Sequence, residues 1–443
     1  MNSTWQVFWV SSANPEFICD EIAINLKPNF RPKLVLLFIT ESLFKHWKSF
    51  LESLKPKIVD ATVIGFTIPA FFVRGRIYIN GVLVILLNTE FKISFSNERT
   101  HYKSAKSLSI KTSNWDNDFL IVFSVFRIKS RMEGLRIWYT DKMLYSRYQK
   151  ANLPEKLEVI DKYCNYIDEK KVWCAIDKIL EEFKENRKTV ALNLFPMKTT
   201  CGIPHIFVDE SDVSDGIVAF SIKNSKIVYE DIYPERRDSL EKTLEILKNY
   251  FNIYEKVRVF GKRHVISEIN KQKPADFIKS RFLSDIHEDI NRIIKKLEGE
   301  TRPLVQSTGL IFISKETFGI AGLPLESWCP VNFYPCVYDI STFYEDAWII
   351  VPFSKPNIEW IGILNKAIRN SLKILFLDIS LLTIFRPSLQ RLPSLLRYRG
   401  DVIGILTGAP SAYIPNPERK YMTEIKKGIC CSTIGSMAML EIV

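Results

Sequence analysis

No stretch of this 443-residue chain offers about 18 uncharged apolar residues in a row, the length that suggests a membrane span. The longest candidate, ILFLDISLLTIF (374–385), is too short and carries Asp378. The opening MNSTWQVFWV lacks the basic start and long apolar core of a signal peptide. Together these absences predict a soluble cytoplasmic protein. Metal-ligand spacing is missing too. Cys19, Cys164, Cys174, Cys201, Cys329 and Cys336 are scattered, and Cys430 and Cys431 are adjacent. No C-x-x-C and no Cys/His pairing at zinc spacing occurs, so buried free thiols in a reducing compartment are expected. There is no Walker loop, G-x-G-x-x-G, H-E-x-x-H or G-x-S-x-G. No catalytic residue can be assigned from motifs, and the expectation is a non-enzymatic protein. Histidine is scarce, with His46, His101, His205, His264 and His287 the full set. Each reads as a structural residue, none can be placed as a haem ligand, and no cofactor is expected.

What is present is an ordinary globular balance of 47% hydrophobic and 25% charged residues. The length suits two domains with sizeable cores. The net charge is +11, a small excess beside 61 basic and 50 acidic residues. The densest basic stretch runs from Arg99 to Lys150 and interleaves Tyr139, Tyr145 and Tyr148. Basic residues with aromatics suit a single-stranded nucleic acid; a solvated edge of an α/β domain explains the same letters.

The chain states one pattern near both ends. Residues 33–70 read KLVLLFITESLFKHWKSFLESLKPKIVDATVIGFTIPA, and 373–409 read KILFLDISLLTIFRPSLQRLPSLLRYRGDVIGILTGA. Each has an apolar run, a helix-like stretch and a return in V-I-G. Gly81 then opens GVLVILL, and Gly435 opens GSMAMLEI. The first helix carries Leu43, Phe44, Trp47, Phe50, Leu51 and Leu54 at helical period, so this is a βαβ unit followed by a further strand. Asn80-Gly81 predicts a tight hairpin between IYI and VLVILL. A looser third copy follows: FLIVFSVF (119–126), a helical region over 153–183, a strand from Val190 and GIVAFSI (216–222). The predicted fold is α/β, with two domains of mixed sheets and flanking helices built from repeated strand–helix–strand–strand units. The boundary falls between 1–236 and 237–443.

In a βαβ unit, ligands sit beyond the carboxyl ends of the strands. Those ends carry Gly65, Phe66 and Thr67 in one half and Gly404, Thr407 and Gly408 in the other. They supply hydroxyls and backbone N–H groups but no charge, which is material for binding; alternatively, the glycines only permit turns. A bulky residue at Gly408 is expected to block binding and leave the fold intact.

These segments, in this order, resemble the FIST family, a two-part sensory module of prokaryotic signal transduction. The resemblance rests on LVLLFI, the first helix and VIGFT, on TTCGIPHIF with DGIVAFSI, and on VISEINKQKPADFI, AWIIVPF, ILFLDIS and VIGILTGA. It covers roughly residues 30–443. It implies a stand-alone sensor of a small molecule that signals to a separate partner protein. The Gly-Glu that the family commonly carries after each turn is absent, since Ile68-Pro69-Ala70 and Thr407-Gly408-Ala409 stand there. A ligand at the strand ends is therefore expected to be neutral or anionic rather than an amine. The competing expectation is a basic nucleic-acid-binding or scaffold protein using residues 99–150. No membrane partner is expected.

Overall fold

The computed structural model describes residues 4–25, 30–74, 76–183, 188–194, 204–230, 237–248, 252–274 and 276–277. In the last third it describes 310–313, 318–321, 332–336, 339, 347–351, 370–378, 402–408, 410–415, 424–426, 429–430 and 436–443. The first unit comprises β1 (Trp5–Val10), α1 (Pro15–Asn25), β2 (Leu34–Thr40), α2 (Trp47–Leu54), β3 (Thr62–Ile68), β4 (Phe71–Val73), β5 (Arg76–Tyr78) and β6 (Val82–Leu87). The second has β7 (Phe91–Ser96), α3 (His101–Thr112), β8 (Phe119–Ser124), α4 (Arg131–Lys150), α5 (Leu153–Glu169), α6 (Ile176–Glu181), β9 (Thr189–Leu194), β10 (Ile206–Val208), β11 (Ser211–Asp212) and β12 (Ile217–Ile222).

The third unit opens with β13 (Ser225–Glu230) and α7 (Leu240–Leu247). An inserted run follows: β14 (Asn252–Val257), β15 (Val259–Lys262), β16 (Val265–Ile269), β17 (Leu310–Ile313), β18 (Phe318–Ala321), β19 (Tyr334–Pro335) and β20 (Ala347–Val351). It closes with β21 (Leu372–Asp378), β22 (Val402–Thr407), β23 (Ser411–Tyr413), β24 (Glu424–Lys426), β25 (Ile429–Cys430) and β26 (Met437–Ile442).

The units build three sheets of one design. Their orders are β1-β6-β2-β3-β10-β11, β7-β12-β8-β9-β23-β25-β24 and β13-β26-β21-β22-β4-β5. In each, a central strand runs parallel to the next strand of its unit and antiparallel to the last: β2 with β3 and β6, β8 with β9 and β12, β21 with β22 and β26. The fold class is α/β, and the strand topology of 33–87 recurs in 372–442 and again in 119–222. The helix expected between β21 and β22 lies outside the described residues, as does Gly435. The central strands are buried along their whole length, which accounts for their unbroken apolar runs.

The fifth strand of each sheet is borrowed. The hairpin after β3 pairs with β22, the one after β9 pairs with β3, and the strand after β22 pairs with β9. The exchange closes a three-membered ring. One central core therefore draws on all three sheets: Leu36, Phe38 and Phe66 meet Val122, Val190 and Phe220, with Ile374, Phe376 and Ile405. The outer face of the first sheet packs on α1 and α2 through Val35, Leu37, Trp47 and Phe50, and helices of the second unit cover the second sheet through Ile121, Phe123, Ile160 and Tyr163. The boundary expected at residue 236 does not separate these sheets, because β4, β5 and β13 belong to the third sheet and β23 to the second.

The hairpin predicted at Asn80-Gly81 is also corrected. β5 pairs with β4, turning through Arg74 at φ 49°, while β6 joins β1 and β2. Gly81, at φ 155°, presses against the Val10 carbonyl, and its N–H donates to Thr40 Oγ1 at 2.9 Å. It is a strand entry where a Cβ has no room. The expected helical run over 153–183 divides into α5 and α6, with Lys171 at φ 53° between them.

Candidate functional site

All six residues expected to line a ligand site are buried. Gly65 lies opposite Phe207, and the Phe207 ring fills the space a side chain would take. Gly404 lies opposite Phe72, with a would-be Cβ 3.1 Å from the ring. Phe66 points into the central core, edge-on to Phe38 at 5.1 Å. Thr67 Oγ1 accepts from the His205 N–H at 2.7 Å, fastening β3 to the incoming hairpin. Thr407 Oγ1 donates to the Gly408 carbonyl at 2.7 Å. The Gly408 N–H donates to the Asn193 carbonyl at 2.7 Å, and a Cβ there would lie 2.8 Å from Asn193 Nδ2. The openings expected over Gly65 and Gly404 are thus occupied by Phe207 and Phe72. A bulky side chain at Gly408 would strike the seam between β22 and β9, so leaving the fold intact is no longer its expected outcome.

The structure instead brings together residues that the sequence scatters. A cavity of about 260 Å³ opens between the helices of the second unit and the β15–β16 hairpin, lined by Tyr102, Lys178, Glu181, Glu182, Arg263, His264 and Asp339. Thr100 caps α3 by accepting from the Lys103 N–H at 3.2 Å, which sets Tyr102 in the first turn. Asp168 stands in the last turn of α5, and Lys178 with Glu181 on α6. Arg263, at φ 55°, turns the hairpin, and the His264 carbonyl accepts from the Cys336 N–H at 2.7 Å.

His264 is buried between two polar groups. Its Nε2 lies 3.2 Å from Asp168 Oδ1, out of line for a hydrogen bond, and its Nδ1 lies 3.4 Å from the Tyr102 hydroxyl. Asp168 also holds Arg263, whose Nη1 donates to Asn165 Oδ1 at 2.8 Å. The Tyr102 oxygen accepts from the Ala175 N–H at 3.0 Å. Burial, then the Asp168 charge, push the Tyr102 phenol well above its ordinary pKa, so it stays a donor. Lys178 reaches Glu181 at 3.2 Å and Asp339 at 3.1 Å. Burial works against its charge, but Asp339 and Glu181 prevail and hold its pKa above the usual lysine range. Behind it, burial and then Asp339 raise the Asp177 carboxyl to about 7, while its Oδ1 accepts from the Asp339 N–H at 3.1 Å. Burial also pushes the Cys164 and Cys174 thiols up. Among the described residues no three acidic, histidine or cysteine side chains gather as a metal would need.

Sequence reading flagged His264 only as a structural histidine and passed over Tyr102 and Lys178. No motif could have joined them, because Tyr102 and His264 lie 162 positions apart.

The AF0772-like protein C-terminal domain family matches residues 241–355, about a quarter of the chain. That span holds α7 and β14 to β20, the insert of the third unit, and so supplies the Arg263, His264 and Asp339 wall of the cavity. An uncharacterized protein of Archaeoglobus fulgidus is 28% identical over 331 residues, covering 73% of this chain and 85% of that protein.

Proposed function

We propose that the chain is a non-enzymatic sensory protein of FIST type. It binds a small polar molecule in the cytoplasm and passes the signal to a separate partner protein. The observation that carries this reading is the cavity between α3, α6 and the β15–β16 hairpin. It offers a phenol that donates, a lysine, an arginine and three carboxylates around a space fit for a small metabolite. Binding suits these groups better than proton transfer. Tyr102 is held protonated, Lys178 is held charged by two carboxylates, and both nitrogens of His264 face protein groups. A ligand touching both Lys178 and Arg263 would tie the helical layer to the insert, coupling occupancy to the set of the insert.

Native mass spectrometry of the gently purified protein tests this. A small molecule should accompany the wild type and be lost from Lys178→Gln, with the far-UV spectrum unchanged. A wild-type protein free of small molecules that also fails to bind any in a metabolite screen would sink the reading.

The nucleic-acid alternative draws on α4, where Arg131, Arg136, Lys142, Arg147 and Lys150 are exposed. The same outward face shows Met132, Leu135, Tyr139 and Met143, each more than half exposed, and Arg127 is buried. A mixed apolar and basic face favours a protein contact over a phosphate backbone. Gel shifts with a steep salt dependence would reverse that preference.

A further inference from the structure

A second cavity, of about 560 Å³, lies between the start of α5 and the β15–β16 hairpin. Its residues differ from those around His264, and the inference does not depend on that site. Leu153 and Leu157 line it from α5, and Val259 and Phe260 from β15. A capping box fixes the helix start, with the Glu155 N–H donating to Asn152 Oδ1 and the Asn152 N–H to Glu155 Oε2, both at 3.1 Å. Leu153 is consequently held at the first helical position with 60% of its surface exposed.

The charged lining divides into neutralised and free groups. Lys262 is paired with Asp161. Glu268 is held by Lys156 at 2.9 Å and by the Tyr148 hydroxyl, which donates at 2.7 Å. Arg258 and Lys271 remain; neither forms an ion pair among the described residues, although Lys271 is near enough to Glu268 to help hold its carboxyl below the usual value. A tight clamp brings their backbones together: the Arg258 N–H donates to Asn270 Oδ1, and the Asn270 N–H to the Arg258 carbonyl, both at 2.7 Å. Asn270 and Lys271 sit at φ 50° and 62°. Asparagine tolerates that region; lysine adopts it under strain. The turn thus holds Lys271, in a strained backbone conformation, directly after the asparagine clamped to Arg258, and both cations line the cavity.

We propose that this groove binds an amphipathic organic anion. The apolar body lies on Leu153, Leu157, Val259 and Phe260, and a carboxylate, sulfonate or phosphate head lies between Arg258 and Lys271. Two unpaired cations at the end of an apolar floor give a charge-assisted contact to the head, while the body removes exposed leucine surface from water.

Titration calorimetry with octanoate, acetate and octan-1-ol on the full chain tests the pairing of head and body. Octanoate should bind about tenfold tighter than either, since each contributes one of the two terms. Lys271→Gly removes the cation at a position whose φ suits glycine, so its melting temperature should match or exceed the wild type. Its octanoate affinity should fall about tenfold, with octan-1-ol unaffected. Arg258→Gln should act likewise. Equal binding of octanoate and octan-1-ol, no octanoate binding, or wild-type octanoate affinity in both variants would overturn the proposal.

Discussion

Gly65 gives the sharpest test of how the exchanged hairpins lock the three sheets. A Cβ built on Gly65 falls inside the van der Waals envelope of the Phe207 ring. That ring cannot swing away cheaply, because Phe207 is fully buried and stacks on Trp47 at 4.4 Å. Gly65→Ala should therefore cost about 1–3 kcal/mol by overpacking. The equivalent Gly404→Ala meets Phe72 at 3.1–3.4 Å, needs a shift of only tenths of an ångström, and should cost less than about 1 kcal/mol. Phe207→Ala alone should cost roughly 3–5 kcal/mol through lost burial and the cavity left behind. In the double variant the alanine methyl enters the vacated space and the overpacking term disappears. Gly65→Ala with Phe207→Ala should then be no less stable than Phe207→Ala alone, a coupling of roughly 1–3 kcal/mol. The second sheet already shows a compatible pair, Ala191 opposite Ser411. Urea unfolding followed by tryptophan fluorescence, with Trp47 beside the site, reads all four proteins. A double variant whose loss equals the sum of the singles would refute the account, as would Gly404→Ala proving the costlier change.

Three further outcomes are expected. Arg127 is 1% exposed and ion-paired with Asp215, which also holds Lys129 at 3.0 Å. Burial raises the Asp215 pKa, but Arg127 and then Lys129 outweigh it and leave the carboxyl below its ordinary value. Its stabilisation is present above the ordinary carboxylate range and lost as pH falls through the lowered value. Asp215→Asn should cost about 1–2 kcal/mol at neutral pH, the half-exposed carboxylate being partly screened by water, and flatten the acid limb of a stability–pH curve; an unchanged acid limb would count against the pair. Asp177 works in the opposite sense. With its carboxyl raised to about 7, its contribution is present in acid and lost as pH rises through that value. Relative to the wild type, Asp177→Asn should gain stability steadily as pH rises from about 4 to about 7 and level off above that by thermal melts, and a constant difference between about pH 4 and pH 8 would refute the assignment. Added haem should give no stoichiometric Soret band, because Nε2 and Nδ1 of buried His264 face Asp168 and Tyr102, and the His205 ring stacks on Phe44 with Nδ1 3.4 Å from Ser214 Oγ; a band abolished by His205→Ala or His264→Ala would reverse this.

The strands of the three central positions were legible from letters alone, because strands buried on both faces need continuous apolar runs, as in LVLLFI, FLIVFS and ILFLD. So was the order strand, helix, strand, strand near the N-terminus, since α2 shows its apolar stripe at helical period. The glycines of the two V-I-G returns also stood out, but only as positions without a side chain. What they make room for was decided by the partner strand. Phe207 comes from 142 positions beyond Gly65, and Phe72 from more than 300 before Gly404. Strand pairing depends on backbone groups that every residue carries, so nothing in a local window names the partner. The same reason hid the closed exchange of hairpins, which turned two expected halves into three interlocked sheets. It also hid the cavity, where Tyr102, Lys178 and His264 meet from three distant segments. Local periodicity sets what each segment can bury; only the packed chain settles which side chain fills the space opposite a glycine and which polar groups share a wall.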